Sequence, residues 1–530
     1  MLLALCLAAG STGTVASGIG APRQPPDSAG APSASPAQAV LDRREQLTEL
    51  IRHWLDTGDR VSRDRLLGGL RRLRDTSLKP LFARLAVSND PGLRRHGILG
   101  SAELSRAGEL DLLAIAKMSD PRERALTIQE AMAEELVTVD QLQDVLRWEA
   151  LDDRICAQIA CRLAAAGKPA PRDLVDRLLK TAAPAVRLRV ALSAMQWQET
   201  EELTALIRSA TDDLLAIPAK PGESSGREQA ISVMSDVRRD ALWKGGAEFA
   251  RRVLSAAAAD LVLRYEAIAT LLACNPSDEQ ATRECLKSLG NKNDLGGRLM
   301  TGLAVLEAGL AREQAPSEVV DGLLADGDPL IKQMGDSMRA VLAGCGSAPT
   351  PLGALAGSGH GPSAAWALRA ARKRAWQDAQ EIRLGVIASV TAKASRELIE
   401  CGAQAAGELC DDDPASLRAP LEAALKAGET RRVQVILLGA AASRSPRACE
   451  ALPESEPVWP DDVSSAVAAV LRARCSEPND PQAKARFEAL ATVAAGRGNL
   501  SPVLRFQAAW QALRAVGDDR ATLARVLSGD

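Results

Sequence analysis

Aromatic residues are scarce in this 530-residue chain, which has eight Trp, four Phe and one Tyr. Strands favour aromatic and β-branched side chains, so this composition argues against β-sandwiches and barrels. Proteins that bind single-stranded nucleic acid need aromatic faces on which bases stack, so that class is disfavoured too. Alanine and leucine dominate instead, and both are strong helix formers. The composition therefore favours closely packed helices.

Neither sign of charge is in large excess. The chain has 65 Lys and Arg against 68 Asp and Glu, a formal net charge of −3. Nucleic-acid-binding domains usually carry a strong basic excess, so we expect no nucleic-acid partner. The 46% of hydrophobic residues is ordinary for a soluble protein. No stretch is long and apolar enough to form a membrane span.

Motifs of catalytic or metal-binding chemistry are missing from the sequence. The histidines, His53, His96 and His360, have no zinc-binding spacing. We interpret the first two as structural and His360 as solvated. No Cys-x-x-Cys pair and no Gly-x-Ser-x-Gly elbow is present. Residues 357–361 are glycine-rich but lack the ending of a phosphate loop, and residues 411–413 are interpreted as helix-cap and turn charge. We therefore predict no catalytic residue, no metal and no cofactor.

The ten cysteines leave the disulfide pairing open. Cys274 and Cys285 flank a predicted turn and could meet. Cys449 and Cys475 could join a proline-rich loop to the end of a helix. The alternative is that most of these residues are small buried thiols in helix cores.

The dipeptide Asp-Pro recurs five times where a helix is predicted to begin, with proline at positions 91, 121, 329, 414 and 481. An N-cap aspartate accepts hydrogen bonds from the first turn, and proline is tolerated at the next position. A basic residue stands three places after the proline in four copies, at Arg94, Arg124, Lys332 and Lys484. We interpret it as a structural ion pair with the N-cap carboxylate of its own or a neighbouring repeat.

The early helix starts are regularly spaced. Pro91 to Pro121 is 30 residues, Pro121 to Asp152 is 31, and Asp152 to Pro184 is 32. Two helices of about 12 residues with two short turns fill such a period. Repeats of this length indicate an array in which each unit packs on its neighbours.

Segments such as Asp90-Pro-Gly-Leu-Arg-Arg95 and Asp328-Pro-Leu-Ile-Lys332 resemble bacterial HEAT-like repeats, the short-period type known from phycobilin lyases. The resemblance covers residues 80–345 and 380–530, with gaps. It implies an all-α fold, an α-solenoid of stacked antiparallel helix pairs. It also leaves open a lyase-like or cofactor-handling enzyme as an alternative function.

The N-terminus reads as an export signal, because a short apolar run precedes small residues before Gly18. Cys6 leaves a lipoprotein signal as an alternative. The predicted divisions are a signal peptide (1–17), a flexible linker (18–39), an N-terminal array (40–345), a Gly/Pro-rich break (346–363) and a C-terminal array (364–530).

We expect a non-catalytic interaction scaffold or adaptor of the bacterial cell envelope, periplasmic or secreted, that binds a protein or peptide on the solenoid surface. The other alternative is a cytoplasmic regulatory scaffold whose N-terminus has been misread. The tryptophans are interpreted as fillers between repeats: Trp54, Trp148, Trp197, Trp243, Trp376 and Trp510. Trp459, which lies between Pro457 and Pro460, is the best candidate for an exposed binding anchor. The sequence does not indicate the oligomeric state.

Overall fold

The computed structural model describes residues 36–56, 59–105, 110–148, 151–221, 223–256, 260–343, 349–374, 379–496 and 500–517. Within these ranges the chain forms helices and no β-strand, with one isolated β-bridge between Lys220 and Glu223. The prediction of an all-α fold is confirmed. The predicted signal peptide lies outside the described residues. So does most of the predicted linker, whose last residues belong to the first helix.

The α-helices follow one another with short connections. In chain order they are α1 (Pro36–Asp56), α2 (Arg60–Arg72), α3 (Lys79–Leu85), α4 (Pro91–Glu103), α5 (Leu112–Ala116), α6 (Pro121–Ala133), α7 (Val139–Val145), α8 (Asp153–Ala165), α9 (Arg172–Leu178), α10 (Pro184–Met195), α11 (Glu201–Leu215), α12 (Gly226–Arg239), α13 (Trp243–Ala256), α14 (Leu261–Cys274), α15 (Glu279–Gly290), α16 (Leu295–Arg312), α17 (Ser317–Leu324), α18 (Pro329–Leu342), α19 (Pro349–Ala356), α20 (Gly361–Arg374), α21 (Ala379–Ser389), α22 (Arg396–Asp412), α23 (Arg418–Lys426), α24 (Thr430–Ala442), α25 (Asp462–Arg474), α26 (Ala483–Ala495) and α27 (Pro502–Ala515). Short 3₁₀-helices occupy Thr76–Leu78, Pro414–Leu417 and Ala448–Ala451.

The chain divides into two compact units. Unit 1 joins residues 1–104 to residues 390–530, and unit 2 is residues 105–389. This division differs from the predicted arrays on either side of residues 346–363. That segment contains α19, in which Leu352 and Leu355 are fully buried. Its glycines and prolines suggested a linker, but proline is compatible with the first turn of a helix, and the leucines supply a buried face.

In unit 1 the first helices pack on the last. Helices α1 and α2 both contact α27, and α25 contacts α27 from another side. Trp510 and Phe506 of α27 are fully buried, and the ring centroids of Phe506 and Trp54 lie 5.8 Å apart. Helix α27 is therefore a core helix, whose large apolar side chains pack between the first and the last described helices of unit 1.

In unit 2 alternate helices contact one another. From α6 to α18, each even-numbered helix contacts the next even-numbered one, while α11 contacts α13 and α15 contacts α17. The even-numbered helices include those that follow the predicted starts at Pro121, Asp152, Pro184 and Asp328. The helix starts that were predicted from the sequence therefore belong to the even-numbered helices, which pack on one another in succession.

The Asp-Pro sites cap helices as predicted, with one partial exception. Asp90, Asp120 and Asp328 accept hydrogen bonds from first-turn N–H groups of α4, α6 and α18, and Asp413 does so for a 3₁₀-helix. Asp480 accepts from the N–H of Gln482 at 2.8 Å, but α26 begins only at Ala483.

The predicted ion pairs after the proline need correction at Asp90. Arg94 donates to the carbonyl of Ser88 at 2.8 Å, whereas Arg63 of α2 pairs with Asp90 at 2.8 Å. The same relationship, a basic residue on an earlier helix facing a later N-cap aspartate, recurs for Arg227 with Asp260 and for Arg251 with Asp278. In these three pairs the brace therefore comes from the helix two places earlier in the chain.

Candidate functional site

Unit 2 carries a surface groove of about 940 Å³ between α15 and the connection from α16 to α17. One wall is α15, which begins at its N-cap Asp278. Its residues Ala281, Cys285 and Leu289, four apart, are buried against the unit. The opposite helix face therefore points outward and lines the groove with Glu279, Thr282, Arg283, Leu286 and Lys287.

The facing wall is the turn that joins α16 to α17. Helix α16 ends at Arg312, its C-cap Glu313 has a left-handed backbone (φ 59°), and Pro316 is the N-cap of α17. Val319 and Val320 are buried, so the segment before them stays at the surface. Its residues complete the lining of the groove: Gln314, Ala315, Pro316, Ser317 and Glu318.

The lining of the groove carries two cations and two carboxylates: Arg283, Lys287, Glu279 and Glu318. Arg283 and Lys287 are exposed and have no ion-pair partner among the residues the structure describes. Nearby arginines differ in this respect, because Arg251 pairs with Asp278 at 2.9 Å and Arg264 pairs with Glu284. An unpaired guanidinium can take a carboxylate in a bidentate, charge-assisted contact.

The floor of the groove is partly apolar. Pro276, Leu286, Ala315 and Pro316 are half-buried along it. The sequence alone did not identify this groove. The only available signal was the charged ridge of Glu279, Arg283 and Lys287 at four-residue spacing, and its partner wall lies on another helix.

Unit 1 contains an apolar cavity that does not fit a ligand. It lies between α24, α25 and α27, and its volume of about 20 Å³ holds about one water molecule. The guanidinium of Arg474 lines it but is held by the carbonyls of Ala441 and Ser443 at 3.0 and 2.8 Å. The cavity is therefore a packing gap in the core of this unit.

The groove is lined by none of the histidines. His53 is exposed on α1. His96 is buried in unit 1, where its Nε2 lies 3.2 Å from Asp64 and its Nδ1 lies 3.4 Å from a nitrogen of Arg71. Burial raises the pKa of Asp64, but the hydrogen bond with His96 and the charge of Arg95 outweigh it and lower the pKa to about 2.

His360 is not solvated as expected. It is half-buried, its Nδ1 lies 2.8 Å from the hydroxyl of Ser363, and burial lowers its pKa. It sits just before α20, where the chain turns from α19, and the packing of those helices covers it.

The acidic run at residues 411–413 is used locally. Asp411 accepts a hydrogen bond from the backbone N–H of Arg444, and Asp413 accepts from Ala415. Across the described ranges, no cluster of three or more His, Cys, Asp or Glu side chains could hold a metal ion.

The tryptophans differ in exposure. Trp510 is fully buried, Trp54, Trp148 and Trp243 are half-buried, and Trp197 is 48% exposed. Trp376 lies outside the described side chains. Trp459, expected to be the most exposed, is half-buried and donates from Nε1 to Glu456 at 2.5 Å. The neighbouring Val458 is 95% exposed instead, because the loop turns the indole inward.

In the part of the chain that the structure covers, no helix has the length and apolar character needed to cross a membrane. Comparison of the chain with protein-family models, with curated proteins and with solved structures finds no match.

Proposed function

We propose that this chain is a non-catalytic interaction protein, an α-solenoid of HEAT-like repeats that binds a peptide or an extended protein segment in the groove beside α15. The successive contacts among the even-numbered helices of unit 2 support the repeat architecture. The observation that carries the function is the pair of unpaired cations, Arg283 and Lys287, above a partly apolar floor. The ligand is a segment with at least one carboxylate and one apolar side chain.

The experiment selects displayed random peptides on the full chain and measures the affinity of the best sequences by fluorescence anisotropy. Enriched peptides should carry acidic residues. The double variant Arg283→Glu/Lys287→Glu should bind them at least about tenfold more weakly, a loss of about 1.4 kcal/mol. Higher salt should weaken wild-type binding, because the contacts are solvent-exposed ion pairs.

The matched control is Arg122→Glu/Lys180→Glu. It reverses two exposed cations of unit 2 that do not line the groove, so it changes the net charge equally. Its affinity should equal that of the wild type. Equal losses in both double variants would point to a general charge effect, and selection of neutral peptides that bind the groove variant normally would refute the proposal.

We also propose that the protein works in the cell envelope, after export and cleavage before Gly18. The support is the apolar N-terminal run followed by small residues. Fractionation followed by N-terminal sequencing tests this: a chain recovered from the envelope should begin at Gly18, and a cytoplasmic chain that keeps Met1 would contradict it.

A further inference from the structure

Two half-buried cysteines of unit 1 lie in direct contact. Cys449 belongs to the 3₁₀-helix Ala448–Ala451, in the connection between α24 and α25, and Cys475 directly follows α25. The backbone N–H of Cys449 donates a hydrogen bond to the sulfur of Cys475 at 3.1 Å. The thiol of Cys449 also donates to that sulfur.

These hydrogen bonds make the two thiols unequal. The hydrogen bond to Cys475 raises the pKa of Cys449, and burial raises it further. The same hydrogen bond, with the backbone N–H of Cys449 and the charge of Arg474, lowers the pKa of Cys475 to about 7 against the effect of burial. Part of the Cys475 population is therefore thiolate, the nucleophilic form, near neutral pH, and a second thiol lies beside it.

The other described cysteines differ from this pair. Burial raises the pKa of Cys156, Cys161, Cys274, Cys285 and Cys410, for Cys274 to about 12. The comparison with Cys274 is close, because it is also half-buried at the C-terminal end of a helix. It lacks a neighbouring thiol in hydrogen-bond contact, so its sulfur stays protonated.

We propose that Cys449 and Cys475 form a thiol–disulfide exchange site, which accepts oxidising equivalents from a low-molecular-weight disulfide and closes into a disulfide bond. The site lies at the protein surface and holds both of the sulfur atoms that the exchange requires. It goes beyond peptide binding and involves a different unit.

The reaction balances in two steps. The thiolate of Cys475 attacks one sulfur of the donor disulfide, whose S–S bond breaks, and the departing sulfur leaves as a thiolate that takes up a proton. The thiol of Cys449 then loses its proton and attacks the sulfur of Cys475, releasing the second donor thiol. The cysteine pair loses two electrons and two protons, and the donor is reduced to two thiols.

Neighbouring charged groups set the pH dependence of this chemistry. Glu450 disfavours the Cys475 thiolate, and Arg474 favours it. Cys410 of α22 also interacts electrostatically with Cys475, and Arg514 of α27 donates to the carbonyl of Arg474 at 3.3 Å. The reaction rate should therefore rise with pH around a midpoint near 7, the pKa of Cys475.

The test exposes the full reduced chain to glutathione disulfide and follows the products by peptide mass spectrometry. The wild type should lose two hydrogen atoms and yield a peptide pair joined at Cys449 and Cys475. Cys449→Ser should stop at the first step and accumulate glutathione on Cys475. Cys475→Ser should react at least about tenfold more slowly at position 449, because burial still disfavours the thiolate form of the remaining cysteine.

The control is Cys274→Ser, which should exchange as fast as the wild type and give the same joined peptides. The proposal is overturned if glutathione adds first to Cys449 or equally to Cys274. It is also overturned if the wild-type chain keeps a stable mixed disulfide without closing. Circular dichroism of each variant confirms that a slow reaction does not reflect unfolding.

Discussion

The indole nitrogen of Trp510 donates a hydrogen bond to the hydroxyl of Ser77 at 3.2 Å, across 433 positions of the chain. Around this contact, the side-chain amides of Gln507 and Gln511 donate to the buried carboxylate of Asp75. A buried carboxylate requires such partners, because its desolvation is otherwise uncompensated. Helix α27 is thereby fixed to the segment between α2 and α3.

Replacing Trp510 should severely destabilise unit 1. Trp510→Ala removes a fully buried ring and its hydrogen bond, so we expect a loss of about 3–5 kcal/mol. Urea denaturation followed by circular dichroism measures it. The control is Trp197→Ala, in which a 48% exposed ring is removed and a much smaller loss is expected. Similar losses for both would contradict the burial of α27.

The buried ion pairs of unit 2 should be sensitive to loss of one partner. Asp236 pairs with Arg189 and with Arg239, each at 2.7 Å, and both Asp236 and Arg189 are buried. Asp236→Ala leaves the guanidinium of Arg189 uncompensated, which should cost about 3–5 kcal/mol in unfolding free energy.

An exposed pair provides the comparison for Asp236. Asp212 contacts Arg252 at 2.6 Å with about half of each side chain exposed. Asp212→Ala should cost at most about 1 kcal/mol, because solvent screens the charges. Thermal unfolding of both variants decides the question, and equal shifts in melting temperature would argue against the buried network.

The N-cap role of Asp328 can be separated from its charge. Its carboxylate accepts from the N–H groups of Leu330 and Ile331 at 2.9 and 3.3 Å. Asp328→Ala should lower the unfolding free energy by about 1 kcal/mol. Asp328→Asn keeps the accepting oxygen and should lose much less. Chemical denaturation measures both losses. If Asp328→Asn lowers the free energy of unfolding more than Asp328→Ala does, then Asp328 does not stabilise the fold by capping α18.

Asp64 should make unit 1 sensitive to acid. Its pKa is about 2 in the folded chain and 3.8 in the unperturbed state, so the ionised form stabilises the fold. That stabilisation is fully present above about pH 4 and is lost as the pH falls toward 2. It should amount to about 1–2 kcal/mol after allowance for partial exposure.

The variant Asp64→Asn tests this dependence. It should be less stable than the wild type at pH 6, and the difference in unfolding free energy should shrink between pH 4 and pH 2. Urea titrations at fixed pH values give both curves. If the difference in unfolding free energy stays constant between pH 4 and pH 2, then protonation of Asp64 does not affect the stability of the fold.

Local signals in the sequence predicted the helix starts, because an aspartate cap acts on the backbone a few residues away. Asp120 and Asp328 are found where the pattern placed them. The partner of a cap is not a local property: Arg63 pairs with Asp90 only because α2 packs beside α4. The wall formed by Pro316 opposite α15 could not be inferred for the same reason.

Composition gave wrong predictions at two places where the burial of particular side chains determines the local structure. The segment at 346–363 is rich in glycine and proline, yet Leu352 and Leu355 bury a helix face there. Two prolines near Trp459 suggested an exposed loop, but a hydrogen bond to Glu456 holds the indole. The contact of α27 with α1 and α2 could not be predicted from the sequence. An apolar stripe shows that a helix face is buried, but it does not show which helix covers that face.

The packing of α1 and α2 on α27 in unit 1 has a consequence for biosynthesis. Helices α1 and α2 leave the ribosome roughly 20–80 s before α27, given typical rates of translation. During that interval the apolar face that will meet Trp510 and Phe506 is uncovered, whereas unit 2 is continuous and can fold as it emerges. Unit 1 should therefore be the last part of the protein to fold, and the part that most needs protection from aggregation.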